Sequence, residues 1–182
     1  MSRVRWLKRP LGPTDYIRIA HRLCPPFIQR AYKPWTPLFE LQDRLEFVWR
    51  GRWLVRLNPG CICDLASVPW WIPPFLVSRN SRSNWQDDGA CVHDMLHLGV
   101  ARFPLKARRA VQARMADALM LDLWLAAAPT GWRPRKKWFG VRLAAPFLFR
   151  PDHAHLRPDW MTITDLETEK QVETEPPTGG AS

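Results

Sequence analysis

Hydrophobic and polar positions alternate most cleanly between residues 45 and 57. Leu45, Phe47 and Trp49 fall on one side of an extended chain, and Trp53, Val55 and Leu57 on one side of the next segment. A three-residue loop, Arg50-Gly51-Arg52, pairs 49 with 53, 47 with 55 and 45 with 57, so that all six face one way. Gly51 or Arg52 then takes the left-handed conformation that such a loop needs. Asn58-Pro59-Gly60 turns the chain, and residues 61–64 form a short third strand. Upstream, 14–20 alternates well enough for a strand. Pro25-Pro26, Pro34 and Pro37 keep the next segment extended or turned, so residues 1–43 are expected to wrap the domain rather than build its core.

At Asp64 the period changes. Ser67 is a plausible N-cap and Pro69 suits a first helical turn, but Pro73-Pro74 limits that helix to a turn or two. The polar run 78–83 is a loop. Asn84 caps a helix over about 85–98, with Asp87 and Asp88 in its first turn and Gly99 at its stop. A second helix spans about 105–127. Lys106, Arg108 and Arg109 lie at its start, the unfavourable end of the helix dipole, where they meet either solvent or something negative. A third helical segment covers about 132–144. The fold expected is α+β: a small antiparallel sheet centred on the 45–64 hairpin, packed by two to three helices in one domain over 1–160. Residues 161–182, acidic and poor in apolar side chains, read as a disordered tail.

Charge sharpens this picture. The chain of 182 residues carries 27 basic and 17 acidic side chains, a net of +10. The last 22 residues hold five acids and one base, which leaves 26 bases against 12 acids, or +14, on the body. A body this basic is drawn to polyanions, and the segment 132–142, with Arg133, Arg135, Lys136, Lys137 and Trp138, is the candidate surface for nucleic acid or anionic lipid. The basic N-terminus lacks the apolar run of an export signal, and no stretch reaches the ~18 apolar residues of a membrane helix. Cys24, Cys61, Cys63 and Cys91 are expected as reduced thiols. The Cys61-x-Cys63 pair, with Cys91 and a histidine, lacks the short spacing of a zinc knuckle.

The candidate chemistry sits in the first long helix. His93 and His97 are four apart and stack on one face, with Gly89 and Ala90 one turn earlier leaving room for close approach. Asp94 is rotated by about 100° from His93 and faces elsewhere. On the second helix, Asp117 shares an apolar stripe with Ala110, Ala113, Met120, Leu121 and Trp124, where an acid needs a partner. An Asp behind a His fixes its tautomer, so His93 and Asp117 are the candidate catalytic pair. Asp64, at a strand end, joins Asp94 and His97 as candidate ligands of a divalent metal, calcium or zinc. The same residues could equally form a buried hydrogen-bond network that does no chemistry. The His93-x-x-x-His97 spacing is that of zincins, but Asp94 stands where that pattern needs Glu.

Three motifs, Gly60-Cys61-Ile62-Cys63-Asp64-Leu65-Ala66-Ser67-Val68-Pro69, Ala90-Cys91-Val92-His93-Asp94-Met95-Leu96-His97 and Ala116-Asp117, carry a resemblance. The chain resembles, over about 44–145, a phage- and prophage-encoded domain family of unknown function. That family shares Gly-Phe-x-Thr-Asp-Leu-Ala-Ser-Val-Pro, Ala-x-x-His-Asp-x-Leu-Tyr and Ala-Asp. Cys61 and Cys63 replace the family's Phe and Thr, and His97 replaces its Tyr. The helix is also similar, more locally, to the His-Asp-x-x-Tyr helix of calcium-dependent phospholipases, without their glycine-rich calcium loop or disulfides. The resemblances imply a hydrolase acting on an ester, phosphodiester or cell-wall bond, or else a non-enzymatic virion or tail-morphogenesis protein. Partners would be phage structural proteins, and the location the bacterial host cytoplasm or the virion.

Overall fold

The computed structural model describes residues 3–11, 13–32, 34, 36–65, 84–106, 108–127, 134–136, 138–139 and 159–169. It is an α+β fold. Strands β1 (Val4–Trp6), β4 (Leu45–Trp49), β5 (Trp53–Leu57) and β7 (Met161–Asp165) form one antiparallel sheet in the order β1-β4-β5-β7. Strands β2 (Tyr16–Ile19), β3 (Leu38–Leu41) and β6 (Ile62–Cys63) form a second, in the order β2-β3-β6. The helices are α1 (Pro26–Ala31), α2 (Asn84–His97) and α3 (Arg109–Ala127).

The β4–β5 hairpin has the register that the alternation predicts: Leu45 opposite Leu57, Phe47 opposite Val55, Trp49 opposite Trp53. All six are buried. On the other face Arg56 donates to Glu46 at 2.9 Å, a half-exposed cross-strand pair. The turn differs in detail from expectation. Arg50 (φ 52) and Gly51 (φ 70) take the left-handed positions, and Arg52 N–H donates to Trp49 O at 3.1 Å. Two successive positive φ values give the turn a twist that matches the flanking strands.

Three expectations are corrected. The N-terminal region is not a wrap, because Ile28, Leu38 and Leu41 are fully buried and β3 is the central strand of its sheet. Its prolines shorten the elements without removing them from the core. The strand at 61–64 leaves the hairpin and pairs with β3, as Leu41 N–H donates to Cys61 O and Gly60 N–H to Leu41 O, both at 2.8 Å. Residues 161–165 of the acidic segment form β7 on the hairpin edge. There Arg52 binds Asp165 at 2.7 Å and Glu167 at 3.0 Å, so acids that look like tail composition are neutralised by the turn's own arginine.

Helix α2 ends as Gly99 predicts. Gly99 has φ 68, its N–H donates to Leu96 O, and Val100 N–H reaches back to Met95 O at 2.9 Å, a Schellman stop. Helix α3 starts four residues later than expected. Pro104 disfavours helix at Phe103, and Gln112 bonds both the N–H and the O of Phe103 at 3.0 Å, which holds that loop in place until Arg109. The short helix expected after Ser67 falls outside the described residues, as does most of the 132–144 segment. Residues 134–136 and 138–139 of that segment are helical.

One core joins both sheets to α2 and α3. Cys91, Val92 and Met95 come from α2, Leu119 and Leu123 from α3, and Phe103 packs edge-on to Trp53 and tilted against Trp49, each at 5.4 Å. On its sheet side α3 carries Asp122, which accepts from Trp49 Nε1 at 2.8 Å and pairs with Arg50 and Arg3. Ala90, Met120, Trp124 and Trp138 fill the space between α2 and α3.

Candidate functional site

Gly89 sets the distance between the two helices. A Cβ there would lie 2.6 Å from Trp124 Cδ1 and Nε1 and 3.2 Å from Met120 O, so only glycine lets α3 pack this close. One and two turns further along α2, His93 and His97 face Asp117. His93 Nε2 is 3.0 Å from Asp117 Oδ1, and His97 Nε2 is 3.5 Å from the same oxygen. The two rings are tilted by 48° with centroids 4.2 Å apart. His93 is 2% exposed at the side chain and His97 12%, so His97 is the more open of the two. Trp138 Nε1 donates to the Asp117 carbonyl at 2.8 Å, which fixes this turn of α3 from outside.

The ionisation states follow from this geometry. Burial works against a charge on Asp117, but hydrogen bonds from His93 and His97 outweigh it and hold the carboxyl well below its usual range. Burial lowers His97 despite the hydrogen bond to Asp117, so its ring is neutral at neutral pH. An ionised carboxylate and a neutral imidazole are the forms in which these groups bind a metal. One ligand atom from each of His93, His97 and Asp117 falls within 4.8 Å of the others. Ligands about 2.0–2.1 Å from a tetrahedral zinc lie roughly 3.3 Å apart, close to the 3.0 and 3.5 Å N···O separations, and an ion there would take the place of the Nε2 protons.

Asp94 turns to the other side of α2. Its Oδ2 accepts from Tyr32 OH at 3.1 Å and from Asp64 N–H at 3.2 Å, and the Asp64 side chain also bonds it. Burial nevertheless pushes Asp94 above the usual carboxylate range. The bonds from Asp64 and Tyr32 work the other way and lower it, without outweighing burial. Asp94 Oδ1 lies 3.9 Å from His93 Nδ1, linking the two groups of residues. Leu65, next to Asp64, is a buried non-glycine residue at φ 53, a costly conformation at the end of β6. Behind Asp94, Cys63 and Cys91 bond each other across β6 and α2, and all four cysteines are buried free thiols.

Of the residues singled out in the sequence, His93, His97 and Asp117 thus come together, and Asp64 and Asp94 form an adjoining acidic pair. Arg135 and Lys136 are exposed, and Trp138 is packed on the helices near Asp117. Arg133 and Lys137 fall outside the described residues. Pattern in the sequence did not reveal Tyr32, which lies in the segment expected to wrap the domain, 62 residues before Asp94. Nor did it reveal Gln112, which clamps the 98–105 loop. Among the described residues no helix is long and apolar enough to cross a membrane.

An α+β scaffold with a His-His-Asp cluster between two helices is therefore the class of protein that fold and site define. A family model described as "Protein of unknown function (DUF1353)" matches residues 39–141, and the chain belongs to that family. No curated protein and no solved structure matches the chain.

Proposed function

We propose that the chain is a metal-assisted hydrolase centred on His93, His97 and Asp117, acting on an ester, phosphodiester or cell-wall bond in a phage or prophage setting. One observation carries this reading: two imidazole Nε2 atoms converge on a single ionised carboxylate oxygen at 3.0 and 3.5 Å. The donor set favours zinc over calcium, which takes about six to eight oxygen ligands. A zinc so held supplies a Lewis acid and a bound water acidified to a pKa of about 7. The 3.9 Å between Asp94 Oδ1 and His93 Nδ1 supports a role for Asp94 in orienting that imidazole, and Asp64 with Tyr32 holds Asp94. The exposed Arg135 and Lys136 support a contact with nucleic acid or anionic lipid beside this centre, which salt-dependent retention on heparin checks.

A non-enzymatic virion or tail-morphogenesis role keeps one observation in its favour. His93 and Asp117 are buried and bonded to each other, which is enough to lock α2 to α3. Metal analysis of the purified chain, beside a His97→Ala variant, separates the two. The hydrolase reading expects stoichiometric zinc in the parent and its loss in a variant that remains folded. Absence of zinc from the parent, with His97→Ala and Asp117→Asn changing only the melting temperature, leaves the structural role.

A further inference from the structure

His97 is the member of the cluster that reaches a cavity. The cavity, about 390 Å³, lies between the last turn of α2, the 98–105 loop and the start of α3, and its walls include His97, Leu98, Arg102, Phe103, Leu105 and Ala113. This is the size of a small-molecule site. Among the described residues, none that lines it is acidic. Exposed Lys106 and Arg108 follow Arg102 along the same stretch of chain.

Arg102 is placed by the fold. The Schellman stop at Gly99 turns the chain sharply after His97. Phe103 then plugs the core against Trp49 and Trp53, and Gln112 binds both backbone groups of Phe103 at 3.0 Å. Arg102, next to this anchored residue, is exposed and lines the cavity. The wall takes its apolar side chains from Leu96, Leu98, Ala101, Phe103, Leu105 and Ala113.

We propose that this cavity is the substrate pocket of the His93–His97–Asp117 centre and that it takes a phosphate ester bearing an apolar substituent. The proposal rests on reading the cluster as a metal site. Arg102 brings a positive charge to a wall in which no described residue is acidic, and among esters a phosphate ester keeps an anionic charge for a guanidinium to pair with, whereas a carboxylic ester has none. Leu98, Phe103 and Leu105 then cover the substituent. In hydrolysis of such an ester the water oxygen bonds to phosphorus, the ester P–O bond breaks, and the alcohol leaves with one of the water protons.

The test begins with zinc affinity, measured by chelator competition on the full chain and on Arg102→Ala and Ala113→Glu variants. Each zinc-loaded protein is then titrated calorimetrically with phenyl phosphate and with inorganic phosphate. The parent is expected to bind phenyl phosphate roughly ten-fold tighter than inorganic phosphate, since the ring is covered by apolar wall. Arg102→Ala is expected to weaken phenyl phosphate by about ten-fold or more, the worth of a charge-assisted hydrogen bond. Ala113→Glu, which puts a like charge in the pocket, is expected to abolish the binding, and Arg102→Ala is expected to preserve zinc affinity. Dihexanoyl phosphatidate and thymidine monophosphate carry the same chemistry from a lipid and from a nucleotide, and the tighter of the two names the source. Zinc binding without phenyl phosphate binding, or equal phenyl phosphate binding by Arg102→Ala, overturns the pocket and leaves the metal site standing. No zinc binding by the parent overturns both.

Discussion

Two sides of helix α2 are buried and polar, and the acids there shift in opposite directions. Toward α3, His93 and His97 meet Asp117, and their hydrogen bonds hold that carboxyl ionised against the cost of burial. Toward the strands, Asp88 accepts from Leu11 N–H at 3.0 Å and Tyr16 OH at 2.8 Å, and Asp94 accepts from Tyr32 OH and Asp64 N–H. Those donors are neutral. They do not offset burial, so both acids are pushed up, Asp88 to about 7. The residue type is the same, Asp117 on α3 against Asp88 and Asp94 on α2, and the partners decide the direction of the shift. The α3 side joins a lowered carboxyl to two imidazoles and opens to a cavity through His97.

The largest test of this contrast is a pH profile. Asp88 is raised in the folded chain from 3.8 to about 7 by burial, against the bonds from Tyr16 and Leu11, with Asp87 and Asp15 adding to the rise. A raised acid contributes stability that is complete below about pH 4 and is lost as pH climbs through 7. At about 1.4 kcal/mol per unit this is on the order of 4 kcal/mol. Urea unfolding from pH 4 to 8 should show that loss in the parent and not in Asp88→Asn. His97 and Asp117, both lowered, act in the other direction: their contributions are present above about 6.5 and 3.8, respectively, and fade as pH falls. Identical slopes in parent and Asp88→Asn would remove Asp88 as the titrating group. Next in size, Asp117→Ala takes the charged acceptor from two imidazoles. It should cost about 3 kcal/mol at pH 7 in chelator, together with the zinc site. A loss below about 1 kcal/mol would show that helix packing alone holds α2 to α3.

Much of this arrangement was written in local pattern. The hairpin register followed from period-two alternation, and the pairing of His93 with Asp117 from a lone acid on the apolar stripe of the next helix, whereas His97, expected beside Asp64 and Asp94, faces Asp117 instead. Gly99 marked its helix stop because a Schellman turn needs a positive φ. The hidden parts depended on partners distant in sequence. Tyr32 gives no sign in its proline-bounded segment that its hydroxyl serves Asp94. Residues 161–165 look like the rest of an acidic tail until Arg52, 113 residues earlier, pairs with Asp165. The split of the strands into two sheets was equally out of reach, since β6 is only two residues long and its partner β3 lies in the region expected to wrap the domain.

Smaller substitutions sharpen the contrast further. Gly89→Ala adds one methyl group where Trp124 and the Met120 carbonyl already fill the space, and should cost about 2 kcal/mol by urea unfolding as the helices move apart. Because that movement carries His93 from Asp117, zinc affinity should fall with it, although no ligand is changed. Tyr32→Phe is the mildest change and the most telling. It removes one donor from Asp94, should cost about 1 kcal/mol, and should raise the Asp94 pKa further. Asp94 stands 3.9 Å behind His93 Nδ1, so a loosened Asp94 should also weaken zinc by a few-fold, less than loss of any ligand does. An unchanged zinc affinity in a measurably destabilised Tyr32→Phe protein would mean that the two sides of α2 act separately, the strand side as a brace and the α3 side as the site.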